Sequence, residues 1–335
     1  MKKAISVFAV VALSMFCIFS QALSEKPENE QRTLTVYAYD TFCGDWGAAG
    51  SVIPAFEEKT GIKVNLVAAG AAVEVINKVR LEGDKTECDV ILGITDSLAE
   101  KAYDLLEGYD SPYIKTINPR LIFDKQNRLI PYDYGIFAFV YDSSVELIMP
   151  TSLTDITSDL FKDKFILIDP RTSSVGTGLM MWTYNALGDK WLDWWKAATK
   201  NALTMASGWS AAYGLFTEGE APIVISYTTS PVYHVMYEDT TRYQALIFPE
   251  GHEVTIEAAG IVKGTKHRSE AEQFIDFLLT DAQVDLANAN SMYPINSTLE
   301  LPEAYNYAPL PEKLYTDFDD NASELIKQWE DAIVK

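Results

Sequence analysis

The chain has 335 residues, 48% of them hydrophobic and 12% aromatic, with a formal net charge of −21. That composition belongs to a folded globular protein, and the length suggests two domains rather than one core. The strong acidity argues against nucleic acid as a partner.

Met1-Lys2-Lys3 precede an apolar run over residues 4–19 and then Ser20-Gln21-Ala22-Leu23-Ser24. A basic start, an apolar segment and a small-residue cleavage site have the form of a secretory signal, with Ala22 and Ser24 at the positions that signal peptidase reads. The apolar run is short for a membrane-spanning helix. Residues 1–24 are therefore expected to be removed, and loss of Lys2 and Lys3 takes the charge from −21 to −23. Leu13-Ser14-Met15-Phe16-Cys17 offers a second route, lipidation at Cys17. Phe16 is bulky where a small residue is usual, so cleavage after Ser24 is favoured.

Residues 25–32 are polar, and the folded part begins with a strand at 34–39 and a loop at 40–47. A helix ends near Lys59-Thr60-Gly61, followed by a strand at 62–67, a helix at 73–81, a strand at 89–93 and a helix at 98–106. Strand–helix alternation of this kind builds a parallel sheet. Cys43 follows the first strand and Cys88 precedes the third. In parallel neighbours the two thiols fall at opposite ends, well beyond the ~7 Å Cα separation a disulfide allows. Free thiols are expected.

Residues 129–141, L-I-P-Y-D-Y-G-I-F-A-F-V-Y, and residues 253–262, E-V-T-I-E-A-A-G-I-V, are two long extended runs. One can carry the chain out of a first domain and the other can bring it back. Between them come a strand at 165–169 and one long tryptophan-rich helix at about 177–200. Next is the segment S-G-W-S-A-A-Y-G-L-F-T-E-G-E-A-P-I-V-I-S-Y-T-T-S-P-V-Y-H, residues 207–234. There Ser210 can N-cap a short helix, and Ile223, Val224 and Ile225 suit a buried strand. Helices at 269–279, 281–289 and 322–333 complete the chain.

Three histidines, none at a metal spacing, and the lack of a nucleophile elbow, P-loop or dinucleotide fingerprint disfavour triad, metal and nucleotide enzymes. Three aromatic clusters stand out instead. Tyr39, Phe42 and Trp46 accompany Asp40 and Asp45; Tyr132 and Tyr134 flank Asp133; Trp209, Tyr213 and Tyr227 lie in the second domain. Aromatic faces beside carboxylates attract flat cations, and ligands collect beyond the carboxyl ends of strands in open α/β sheets. Convergence of the clusters on one cleft is the central expectation. Asp169-Pro170-Arg171-Thr172-Ser173-Ser174 precedes a helix, where an anion and an ordinary N-cap are equally good readings.

The mature chain resembles the periplasmic thiamine-binding proteins of bacterial ABC importers. The stretches that carry the resemblance are L-T-V-Y-A-Y-D-T-F, D-V-I-L-G, P-Y-D-Y-G-I-F-A-F-V-Y-D, D-P-R-T-S, G-W-S-A-A-Y-G-L-F, S-Y-T-T-S-P-V-Y-H and M-Y-P. It implies an α/β, two-lobed type II periplasmic-binding-protein fold, each lobe a mixed, mostly parallel sheet flanked by helices, with the ligand cleft between lobes. The expected lobes are 33–133 with 256–298, and 134–255. Residues 299–335 are expected as a helical segment on the second lobe. The implied ligands are thiamine, thiamine monophosphate or thiamine pyrophosphate, captured by a periplasmic monomer for a membrane ABC permease, with no cofactor and no metal. Family ligand contacts fall on the positions of Ser173, Ser174, Trp209, Tyr227, Thr228, Thr229 and Ser230. To these the aromatic clusters add Tyr39, Asp40, Asp45, Trp46, Tyr134 and Tyr213. Two positions depart from the family: Ala71-Ala72 replaces an Asp-Gly pair, and Ser291 replaces a tryptophan. The first removes a carboxylate, so phosphorylated thiamine is expected to bind at least as well as free thiamine. The alternatives are a thiaminase-I-like enzyme using Cys43, and a relative that binds a polyamine or ferric iron.

Overall fold

β1 (Thr33–Ala38) buries Leu34, Val36 and Ala38 on one face by the two-residue period of a strand. This computed structural model describes residues 31–45, 47–296, 298–316 and 321–334. The expected leader, Cys17 and Trp46 lie outside them. One helical turn, α1 (Asp40–Cys43), replaces the expected loop after β1. α2 (Ala49–Thr60) ends on Gly61, whose φ of 68° lets its N–H close back on Glu57 O at 2.9 Å. β2 (Lys63–Ala68), α3 (Ala72–Glu82) and the fully buried β3 (Val90–Thr95) follow. β1 pairs in parallel with both β2 and β3, and Cys43 and Cys88 are free thiols.

The helix expected at 98–106 reduces to α4 (Ala99–Ala102) between 3-10 turns. There the chain straightens into β4 (Leu106–Glu107) to pair with a later strand. β5 (Ile130–Asp142), β6 (Phe165–Ile168), α5 (Ser174–Leu187) and α6 (Trp191–Asn201) come next. α5 and α6 replace the single helix expected at 177–200. Gly188, at φ 55°, breaks it and turns Trp191, Trp194 and Trp195 into the second core. β7 (Thr204–Ala206) leads to α7 (Trp209–Thr217), which starts at Trp209 with Gly208 at its N-cap, so Ser210 is not the cap. β8 (Ile223–Tyr227), α8 (Ser230–Tyr237), β9 (Tyr243–Ala245) and β10 (His252–Val262) follow. α9 (Arg268–Leu279), α10 (Gln283–Asn290), β11 (Tyr293–Pro294), β12 (Leu314–Tyr315) and α11 (Ala322–Ile333) end the fold.

The central sheet runs β2-β1-β3-β10-β5-β8-β6-β7. β10 is antiparallel to β3 and β5, and β5 to β8; β8, β6 and β7 run in parallel. β5 serves both halves. Residues 130–136 pair with β10, and residues 137–141 pair with β8. Its side chains change core at the same place: Ile130, Tyr132 and Ile136 pack in a first core, Phe137, Phe139 and Val140 in a second. α11 packs Leu325 and Trp329 into the second core, but Ala304, Tyr305 and Ala308 belong to the first. The segment 299–335 is therefore shared, where the sequence suggested the second lobe alone; Tyr305 is drawn to the first by donating its hydroxyl to Ala287 O and Met292 O.

Candidate functional site

The two long strands meet at a pair of carboxylates. Asp133 on β5 and Glu257 on β10 are direct partners in the antiparallel ladder. Tyr39, just past β1, donates its hydroxyl to Glu257 Oε2 at 2.7 Å, and Tyr132 donates to the same oxygen at 2.8 Å. Tyr39 reaches this point because its ring lies against Gly93, where an added Cβ would come within 2.0 Å of it. Asn290 donates to Asp133 Oδ2 at 3.1 Å, while Asp133 Oδ1 has no partner. At the end of β3, Asp96 accepts from Ile256 N at 2.7 Å.

Electrostatics follow from that geometry. Burial, and then the Glu257 charge, push the Asp133 carboxyl well above the usual carboxylate range. Burial raises Glu257 too, against the two phenol hydrogen bonds that favour its charged form. Burial pushes Asp96 up to about 7. The Tyr227 phenol is raised by burial and then by the charges of Glu257, Asp133 and Asp96. Tyr134 stacks on Tyr293 with centroids 5.2 Å apart, and Tyr227 stacks on Phe137 at the same distance. Gly135 is required between them: a Cβ there would meet Met292 Sδ and Tyr227 Cδ1, each at 2.9 Å.

A second wall adjoins Tyr227. Trp209 stacks on Tyr213 at 4.8 Å and donates its indole N–H to Ser226 Oγ at 2.8 Å. Ser226 Oγ meets Ser230 Oγ at 2.7 Å, and Ser230 Oγ accepts from Tyr227 N at 3.2 Å. Behind this, the Tyr213 hydroxyl bonds His234 Nε2 at 2.9 Å, and His234 Nδ1 bonds Glu238 at 2.6 Å. Tyr213 and Ser230 thus brace Trp209 and the end of β8. Thr228 and Thr229 are buried, and neither hydroxyl has a hydrogen-bond partner. Pro231 opens α8 directly after them.

Ser173 is the N-cap of α5, its Oγ accepting from Val175 N at 3.3 Å, and Ser174 is the first helical residue. They line a cavity of about 10 Å³ with Val73, Leu98 and Lys101 of the first half, room for about one water. Arg171 lines the same cavity but is not a spare donor. Its guanidinium bonds Asp169 at 2.5 Å and 2.9 Å and lies over Trp329.

The first loop departs most from expectation. Asp40 is exposed and fastens β2's end, accepting from Gly70 N at 3.0 Å and donating its own N–H to Gly70 O at 2.9 Å. Asp45 sits exposed in the following turn, and Phe42 is core. Neither aspartate hydrogen-bonds to the carboxylate cluster: Asp40 is engaged at Gly70, and Asp45 stays exposed. Glu257, Asp96, Tyr293 and Asn290 were missed. The run 253–262 carries two glutamates, Glu253 and Glu257, and its local pattern does not tell them apart.

The family model for bacterial extracellular solute-binding proteins matches residues 47–285. A thiamine-binding periplasmic protein of Brucella abortus is 38% identical over 310 residues, covering 91% of each chain. The thiamine-binding periplasmic protein of Escherichia coli is 34% identical, covering 88% of this chain and 90% of that one. A solved periplasmic thiamin binding protein superimposes with a TM-score of 0.85 at 32% identity, covering 92% of this chain and 98% of that one. The chain belongs to the bacterial extracellular solute-binding proteins, with the type II fold, in the family of the periplasmic thiamine-binding proteins.

Proposed function

We propose that this protein captures thiamine or its phosphate esters between its lobes in the periplasm and hands them, as a monomer, to an ABC permease. The observation that carries the reading is the wall built by Trp209, Ser226, Ser230 and Tyr227, with the unpartnered hydroxyls of Thr228 and Thr229 beside it. All of these except Ser226 are positions where the resemblance expects ligand contacts. The aromatic faces suit the flat rings of the vitamin. Ser173 and Ser174, at the start of a 14-residue helix with Lys101 across the gap, suit an ester phosphate. A gap of about 10 Å³ at that edge is far below the several hundred Å³ that a small-molecule site occupies. On this reading an ester phosphate enters that edge when the lobes part about β5 and β10.

The protein acts without chemistry on its ligand. Burial, and then the Asp40 charge, push the Cys43 thiol up to about 11, so at neutral pH it is not the thiolate that nucleophilic attack requires. Calorimetric titration of the mature chain with thiamine, its monophosphate and its pyrophosphate tests the reading. Saturable binding of at least one form is expected, and binding of none overturns it.

A further inference from the structure

The Asp133–Glu257 pair is a liability to the fold. Like charges directly opposite in a sheet are destabilising, and a buried charge is costly unless paired. Asp133 is 1% exposed, and among the described residues neither carboxylate forms a salt bridge. The groups that act on their titration are Tyr39, Tyr132, Asn290 and, for Asp133, the charge of Glu257. Two phenols and an amide supply no positive charge. A second observation lies on the same face of the sheet. Asp133, Gly135 and Phe137 share one side of β5 by the two-residue period, and half-buried Tyr227 pairs with Phe137 there. A Cβ on Gly135 would meet the Tyr227 ring at 2.9 Å. An unpartnered carboxylate oxygen and an aromatic ring thus share one side of the strand that joins the lobes.

We propose that Asp133 and Glu257 form an acidic floor to the cleft that receives the cationic ring of the ligand, replacing the carboxylate that the chain lacks at Ala71. The ligand's identity rests on the thiamine reading above; the floor itself rests on the pair. Without a cation the two carboxyls share a proton, because two adjacent charges cannot both be held in a buried site. A cation seated over them stabilises both carboxylates, and the shared proton leaves to solvent. The site then selects a permanent heteroaromatic cation over a neutral ring of the same shape.

The test is calorimetric titration of wild type, Glu257→Gln and Asp133→Asn with thiamine and with thiochrome, its neutral fused derivative, in buffers of different ionisation enthalpy. Both substitutions preserve shape, and in Glu257→Gln the new amide oxygen would still accept from the two phenols. In each variant thiamine affinity should fall by at least about tenfold, ~1.4 kcal/mol, while thiochrome affinity changes by less than about threefold. Proton release on binding thiamine should appear in wild type and vanish in the variants. Unchanged thiamine affinity, or an equal loss for both ligands, overturns the proposal. Failure of wild type to bind thiamine defeats the functional reading instead, and ligand-free melting then decides the floor. A shared proton makes wild type lose stability relative to Asp133→Asn as pH rises above the ordinary carboxylate range; parallel curves overturn it.

Discussion

Asp96 should be a residue whose removal stabilises the ligand-free protein, but only above mildly acidic pH. Its carboxyl closes the end of β3 onto β10 through Ile256 N at 2.7 Å, and burial pushes its pKa up to about 7 from an ordinary 3.8. Between those values the folded state holds a proton that the unfolded chain has released. Stability therefore falls as pH rises from about 4 to about 7 and is flat above. The difference of some three pKa units corresponds to at most about 4 kcal/mol. Asp96 is half-buried, so solvent screening lowers the working figure to about 2 kcal/mol. Asp96→Asn keeps an acceptor for Ile256 N and cannot ionise. Its melting temperature, by differential scanning calorimetry, should match wild type near pH 4 and exceed it by about 4 °C or more near pH 8. A variant equally displaced at both pH values, or less stable at pH 8, would refute the reasoning.

Three further outcomes are expected. Trp209→Ala should weaken ligand binding by about 1–3 kcal/mol through lost aromatic burial and cation–π attraction, with unchanged affinity in a folded variant removing Trp209 from the site. Cys43→Ser should still bind ligand, and wild type incubated with thiamine and an added amine should leave the vitamin intact by chromatography; consumption of thiamine would establish an enzyme. Ala71→Asp should shift preference from thiamine pyrophosphate toward free thiamine, read as the ratio of the two dissociation constants. The same change adds a side-chain N-cap to α3, where only the Glu74 carboxylate now reaches back to Ala71 N at 2.7 Å, so stability to melting should rise by about 0.5–1 kcal/mol.

Local chemistry made much of this protein legible before folding. The alternation of strands and helices through residue 95, the free thiols, the two long crossing strands and the polar elbow at Tyr227–Ser230 all follow from patterns read within a few neighbouring residues. So does Pro231 at the start of α8, since proline is preset for a first helical turn. The break at Gly188 is local, a glycine at φ 55° closing α5 onto Tyr184 O, and its signal stood in the sequence unused. The break at 98–106 was not legible, because β4 forms only by pairing with β10 far away in the chain. The acidic floor is the sharpest case. Tyr39 and Tyr132 reach Glu257 across 218 and 125 positions, and Asp133 becomes its neighbour only through the register of β5 against β10. In sequence these are one aspartate between tyrosines and one of two glutamates in an extended run, each compatible with solvent. Only the ladder that joins the lobes sets Asp133, 1% exposed, beside half-buried Glu257, and the proposed floor depends on that register.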